Sequence, residues 1–289
     1  MNNIEPRRIE ELVARYKLEP TIKDIFVEGS TDKSLVQWFL EEETKRDVFV
    51  YEISTVLIPN DLVLELKQET NRRGQVYALA YTLQRCVGAN SQQATCVIDR
   101  DFANLLGEDN VDGILFLTDY ACMEMYAFNV PTIDKFLKII VRGFPKSATV
   151  VLQELAEVLQ ELFLIRLANK LMEFSLKHIS WERCCSLVGL QLSFDVSEYI
   201  GRYLNTRGRR TQIEEFTFVI NEWRVKLSED PRHQIQGHDF IEFLTWYIYK
   251  HRGVKEVNDE AVIQRSLLGC IERTQLMQEP LFQTLLTRI

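Results

Sequence analysis

Two short apolar runs that stop at acidic residues dominate the pattern of the first half of the chain. Residues 22–27 lead into Glu28-Gly29, and residues 94–98 lead into Asp99-Arg100-Asp101. Runs of this length, rich in branched residues and bounded by turn formers, predict buried strands. Around them the apolar positions shift to helical spacing. Ile9, Leu12, Val13 and Tyr16 form one stripe over 7–17; Leu35, Val36, Trp38, Phe39 and Leu40 give a wide buried face to a helix that Ser30 or Thr31 can cap. Residues 47–53, dense in valine and aromatics, predict a second strand. Pro59-Asn60-Asp61 marks a turn, and 70–87 predicts a helix opening on Asn71-Arg72-Arg73. A polar loop over 104–112 precedes a fourth apolar run at 114–117. This alternation predicts an α/β fold: a parallel sheet flanked by helices, with right-handed crossovers.

Beyond Pro131 the pattern changes. Residues 147–174 are dense in leucine, valine and phenylalanine at helical spacing, and helical windows recur at 211–228, 239–251, 258–273 and 278–288. A boundary at Arg142-Gly143-Phe144-Pro145 divides the chain into an N-terminal α/β domain, 1–142, and a mostly α-helical C-terminal domain, 143–289.

The acids carry the candidate chemistry. Open parallel sheets bind ligands in the crevice beyond the carboxyl ends of their strands. Asp99 and Asp101 stand at i and i+2, which on an extended strand puts both side chains on one face. With Glu28 ending a neighbouring strand, three carboxylates meet. Unneutralised they repel one another, and a divalent cation removes that cost.

Glu28-Gly29-Ser30-Thr31-Asp32 followed by Asp99-Arg100-Asp101 resembles the TOPRIM metal site of topoisomerases, bacterial primases and OLD-type nucleases. Three further stretches bring the similarity closer to the nuclease subunit of the PARIS phage-defence system and its relatives. They are Asp101-Phe102, Thr118-Asp119-Tyr120 with Glu124, and Gly237-His238-Asp239-Phe240. The TOPRIM part covers the first half, and only the last motif links the second. The resemblance implies Mg²⁺ or Mn²⁺ held mainly by Asp99 and Asp101, with Glu28 completing the coordination or moving a proton. Asp32 and Glu124 are further candidate ligands, although Asp32 also suits the first turn of a helix. It implies a toxin-like ribonuclease acting on host tRNA, an ABC-like AAA ATPase partner that keeps it silent, and a homodimer on release. DNA stays open as substrate because other TOPRIM nucleases use it. A non-catalytic TOPRIM module that binds an ATPase or nucleic acid is the alternative.

Charge narrows the choices. The formal net charge is −8, whereas proteins that coat nucleic acid nonspecifically are basic. Capture of a polyanion then calls for a shaped site, an oligomer or a partner. Compact basic clusters stand at Arg72-Arg73 and around Gly208, where Arg207, Arg209 and Arg210 suit either phosphate contact or a solvated loop. His238 suits substrate contact or proton transfer, with a hydrogen-bonded structural role as the plainer reading. Asp239 and Glu242 fit an N-capping box, and Asp119 a turn. The six cysteines lack metal or redox spacing and read as buried thiols. No P-loop or dinucleotide fingerprint is present, so any ATP is expected on another chain. No apolar run is long enough for a membrane span and no secretory leader stands at the start, which gives a cytoplasmic expectation.

Overall fold

The structure is a computed structural model that describes residues 6–19, 21–41, 48–108, 113–252 and 259–289, with the side chains of 89–91 and 252 left out. Asp47 of the expected second strand and residues 109–112 of the expected loop lie outside the described residues. The chain forms two compact units: one from Met1–Arg100, Gly107–Asp119 and Glu272–Ile289, the other from Asp101–Leu106 and Tyr120–Ile271.

The first unit begins with β1 (Arg7–Arg8) and α1 (Ile9–Leu18), then β2 (Lys23–Val27), α2 (Ser30–Glu41) and β3 (Val48–Glu52). β4 (Val56–Leu57), α3 (Asn60–Glu65), α4 (Arg72–Val87), β5 (Ala94–Ile98) and β6 (Leu115–Leu117) follow. β2, β3, β5 and β6 make one parallel sheet in the order β3-β2-β5-β6, and β1 pairs with β4 in a separate two-residue ladder. All five residues of β5 are buried, as are Ile25, Phe26 and Val27 of β2. Strands covered on both faces read as continuous apolar runs, which is why these two were visible in the sequence.

The path through the sheet fixes where a site can form. From β2 the chain steps to β3 on one side, returns to β5 on the other, and continues outward to β6. The connections after β2 and β5 therefore leave in opposite directions, and that divergence opens a crevice beyond the carboxyl ends of these two strands. Glu28 follows one of them and Asp99 the other.

Inside β2, Asp24 is buried, with Oδ2 accepting from Tyr16 Oη at 2.9 Å and from Arg15 Nη1 at 3.2 Å. Its Oδ1 has no partner. Burial pushes this carboxyl above its ordinary value, against the opposing effects of Tyr16 and Arg15. A raised folded-state pKa contributes stability that is complete below the unfolded value and is lost as pH rises through the folded one. Asp24→Asn keeps an acceptor for Tyr16 and removes the charge. We expect urea midpoints of this variant to lose that pH dependence and its stability near pH 7 to match or exceed wild type by about 1 kcal/mol. A loss of more than about 1 kcal/mol at neutral pH would mean that the Arg15 ion pair outweighs the cost of burial.

The second unit contains α5 (Ala103–Leu106), α6 (Val130–Phe136) running into a π-helical turn at Leu137–Val141, and α7 (Ala148–Leu171). β7 (Cys185–Val188) and β8 (Gln191–Phe194) form an antiparallel hairpin, and α8 (Val196–Asn205), α9 (Ile213–Arg224), α10 (Gly237–Arg252) and α11 (Glu260–Leu268) complete it. α7 packs against α6, α9 and α10, and in its second half the consecutive Leu162, Phe163, Leu164 and Ile165 are all buried, so the helix is covered around its circumference there. A helix apolar all round is a core helix. The hairpin is an addition to the mostly helical region expected after residue 143.

The chain ends back in the first unit as α12 (Arg273–Leu276) and α13 (Pro280–Arg288). Phe282 meets Phe39 edge-on at 4.7 Å, and Arg288 donates to Thr95 Oγ1 at 2.8 Å and to the Ala94 carbonyl at 3.0 Å. The two units thus do not follow the 142/143 boundary. Among the described residues no helix is long and apolar enough to cross a membrane.

Candidate functional site

The first unit brings Glu28 and Asp99 together. β2 stops at Val27, and Glu28-Gly29 turn the chain into α2. Asp32 Oδ2 accepts the Gly29 amide at 2.9 Å, so this acid closes the turn that presents Glu28. Glu28 Oε1 accepts the Asp99 amide at 2.9 Å, tying the end of β2 to the end of β5. Asp99 is held on three sides. Besides its amide, its carbonyl accepts Arg73 Nε at 3.1 Å, and the next residue, Arg100, donates its amide to Thr118 Oγ1 at 3.0 Å and its Nε to the Thr118 carbonyl at 2.8 Å. Thr118 is fully buried. Both carboxylates are half-buried and spring from backbone fixed by these bonds.

Asp101 departs from the expected geometry. β5 ends at Ile98, before the acid pair, and Asp101 has φ +49°, in the left-handed region. The chain is not extended here, so i and i+2 do not share a strand face. Asp tolerates this conformation better than most residues because its short polar side chain can bond locally. Asp101 belongs to the second unit, where its amide donates to the Ala121 carbonyl at 2.8 Å and its Oδ1 accepts Gln236 Nε2 at 3.2 Å.

Glu124 also lies in the second unit, with Oε1 accepting Gln264 Nε2 at 2.8 Å. It packs on the start of α10. A Cβ on Gly237 would stand 2.1 Å from Glu124 Oε2 and 2.9 Å from Cys122 Sγ, so a side chain there would displace the Glu124 carboxylate. Asp101, through Gln236, and Glu124, through Gly237, are thus linked to the start of α10 within one body. Asp119 has a defined structural role: both its oxygens accept the Leu281 amide at 3.1 Å, at the start of α13.

Asp239 is not an N-cap. α10 begins at Gly237, which places Asp239 inside the first turn, and its buried carboxylate turns to Arg166. Arg166 Nε reaches Oδ2 at 2.6 Å and Nη2 reaches Oδ1 at 2.5 Å, a bidentate pair. Nη2 also lies 3.0 Å from His178 Nδ1. Guanidinium only donates, so Nδ1 accepts and the imidazole proton sits on Nε2. That Nε2 is 3.9 Å from Glu242 Oε2, and the exposed His238 places its Nε2 4.0 Å from the same oxygen. Burial, with Arg166 adding to it, pushes the His178 pKa down, and burial pushes Glu242 up.

His178, Asp239 and Glu242 each offer a ligand-type atom within 4.8 Å of the others. The guanidinium decides what this group is. Arg166 holds both Asp239 oxygens and the one unprotonated nitrogen of His178, so a second cation would meet like charge and occupied donors. The cluster is a polar anchor for α7 and α10.

Of the basic candidates, Arg207 and Arg210 are exposed on the loop after α8, whose Gly208 has φ +66°. Arg209 lies over the Phe174 ring at 4.2 Å and donates to Gln212 Oε1 at 3.1 Å. The sequence reading missed Arg166 and the anchoring role of Arg73. A lone arginine within the apolar run 162–168 was the signal for the first. No family model and no curated protein matches the chain.

Proposed function

We propose that this protein is a metal-dependent phosphodiesterase of TOPRIM type, acting as a ribonuclease effector in antiphage defence. The observation that carries the reading is the Glu28–Asp99 pair at the diverging ends of β2 and β5, joined by the 2.9 Å bond from the Asp99 amide. The donor set fits the cation: carboxylate oxygens, with no thiolate or imidazole, suit Mg²⁺ or Mn²⁺. Glu28 and Asp99 would hold it. The bound cation supplies Lewis-acid polarisation of a phosphoryl oxygen. Asp32 sets the turn that aims Glu28, and Arg73 fixes the backbone that aims Asp99.

The resemblance to the PARIS nuclease subunit carries the proposal to its substrate and partners: host tRNA, an ABC-like AAA ATPase that restrains the nuclease, and a homodimer on release. In the second unit, Arg207 and Arg210 offer exposed guanidiniums for backbone phosphates. The test is incubation of the purified protein with total tRNA, unstructured RNA and duplex DNA in Mg²⁺ or Mn²⁺. Metal-dependent cleavage of RNA, stopped by EDTA, is expected, with tRNA cut in preference. Cleavage of duplex DNA alone would move the substrate to DNA. No cleavage of any substrate by the confirmed dimer, with or without an ATPase partner, would leave the non-catalytic module.

A further inference from the structure

The two arginines that open α4 have different surroundings. Arg73 commits its Nε to the Asp99 carbonyl at 3.1 Å. Arg72 is exposed, and its Nη1 stands 3.6 Å from the point a Cβ would occupy on Gly29, the residue directly after Glu28. Among the described residues the Arg72 side chain makes no hydrogen bond or ion pair. Its position is nevertheless fixed by the backbone. Asn71 caps α4 by accepting the Gly74 amide at 2.9 Å, and Gly74 packs so closely that a Cβ would fall 2.0 Å from the Glu69 carbonyl oxygen. The first turn of α4, and Arg72 with it, is therefore set beside the Glu28-Gly29 turn.

A polyanion approaching Glu28 and Asp99 on a chain of net charge −8 meets repulsion before it meets a metal. A guanidinium with an unengaged fork at the rim of that site offsets it, and its geometry matches two phosphate oxygens at once. We propose that Arg72 is the substrate-binding residue that grips a backbone phosphate of the nucleic acid beside the Glu28–Asp99 pair. The ligand class is a phosphodiester strand. This inference rests on reading the pair as a phosphodiesterase site.

The experiment is fluorescence anisotropy with a short labelled single-stranded RNA, on the full chain, in EDTA and again in Ca²⁺ to hold off turnover. Wild type, Arg72→Ala, Arg72→Lys and Arg73→Ala are compared across a salt series. Arg72→Ala is expected to weaken binding about tenfold and to lower the salt slope by about one counterion. Arg72→Lys should recover part of the loss, since lysine keeps the charge without the fork. Arg73→Ala should leave the slope unchanged, because that guanidinium is engaged with the protein. Unchanged affinity in Arg72→Ala, or an equal slope change in both alanine variants, overturns the assignment while leaving the phosphodiesterase reading standing. Absence of RNA binding by wild type in either condition removes the ribonuclease reading and overturns the subsite with it.

Discussion

Glu28→Gln and Asp99→Asn are each expected to lower the proposed metal-dependent cleavage by about 10³-fold or more while leaving the fold intact. A metal-held phosphoryl oxygen is worth several kcal/mol in the transition state, and each 1.36 kcal/mol is a factor of ten. The amides are chosen because they separate charge from position. In Glu28→Gln the side-chain oxygen still accepts the Asp99 amide, so the 2.9 Å bond joining the strand ends survives without its negative charge. Asp99→Asn leaves untouched the backbone amide and carbonyl that Glu28 and Arg73 hold. Glu28→Ala, by contrast, removes both charge and tether, and should also loosen the loop after β5. Single-turnover cleavage rates and calorimetric Mn²⁺ titration read the outcome. Wild-type rates and wild-type Mn²⁺ affinity in both amide variants would falsify the metal assignment and leave Glu28–Asp99 as a structural hydrogen bond between strands.

The parts of this site that were legible share one property: they follow from local pattern. Buried parallel strands are continuous apolar runs, and the acid that stops each run marks its carboxyl end. Residues 22–27 and 94–98 therefore gave β2, β5 and the two acids after them. Strand order was not legible, because nothing local says that β5 pairs with β2 and not with β3. Asp-x-Asp reads the same extended or turned, so the left-handed Asp101 was invisible. Residues 278–288 were recognisable as a helix. That this helix returns to the first unit depends on Phe282 meeting Phe39 and on Arg273 reaching the Phe39 carbonyl, contacts made across the length of the chain. The hairpin β7–β8 was missed because its four-residue strands mix half-buried and exposed positions with no long alternation.

Asp239 shows how a correct local rule can lose to a distant partner. Asp-x-x-Glu does match a capping box. Yet α10 starts two residues earlier, where Gly237 lets the helix close against Glu124, and the carboxylate is taken by an arginine 73 positions away. The partner outweighs the cap because a buried carboxylate needs a countercharge more than a helix start needs one more acceptor.

That countercharge carries the largest expected effect on stability. Arg166→Ala is expected to destabilise the second unit by about 3–5 kcal/mol, the usual cost of stranding one partner of a buried pair. Asp239 has a side-chain exposure of 1%, so water cannot replace the bidentate bonds. The same change removes the donor to His178 Nδ1. It also removes one of the two influences, after burial, that push the His178 pKa down. A lowered imidazole pKa contributes stability that is present above the unfolded value of 6.5 and lost as pH falls through the folded one. Arg166→Ala should therefore show a weaker acid-side decline from this histidine than wild type, alongside its lower midpoint. Urea denaturation at several pH values measures both effects. The double variant Arg166→Met with Asp239→Leu provides the control: with both charges gone, its loss should be smaller than that of Arg166→Ala alone. A double variant as unstable as the sum of its singles would show that the two side chains act through separate packing contacts, and a loss below about 1 kcal/mol in Arg166→Ala would show that Asp239 finds another partner when α7 no longer supplies one.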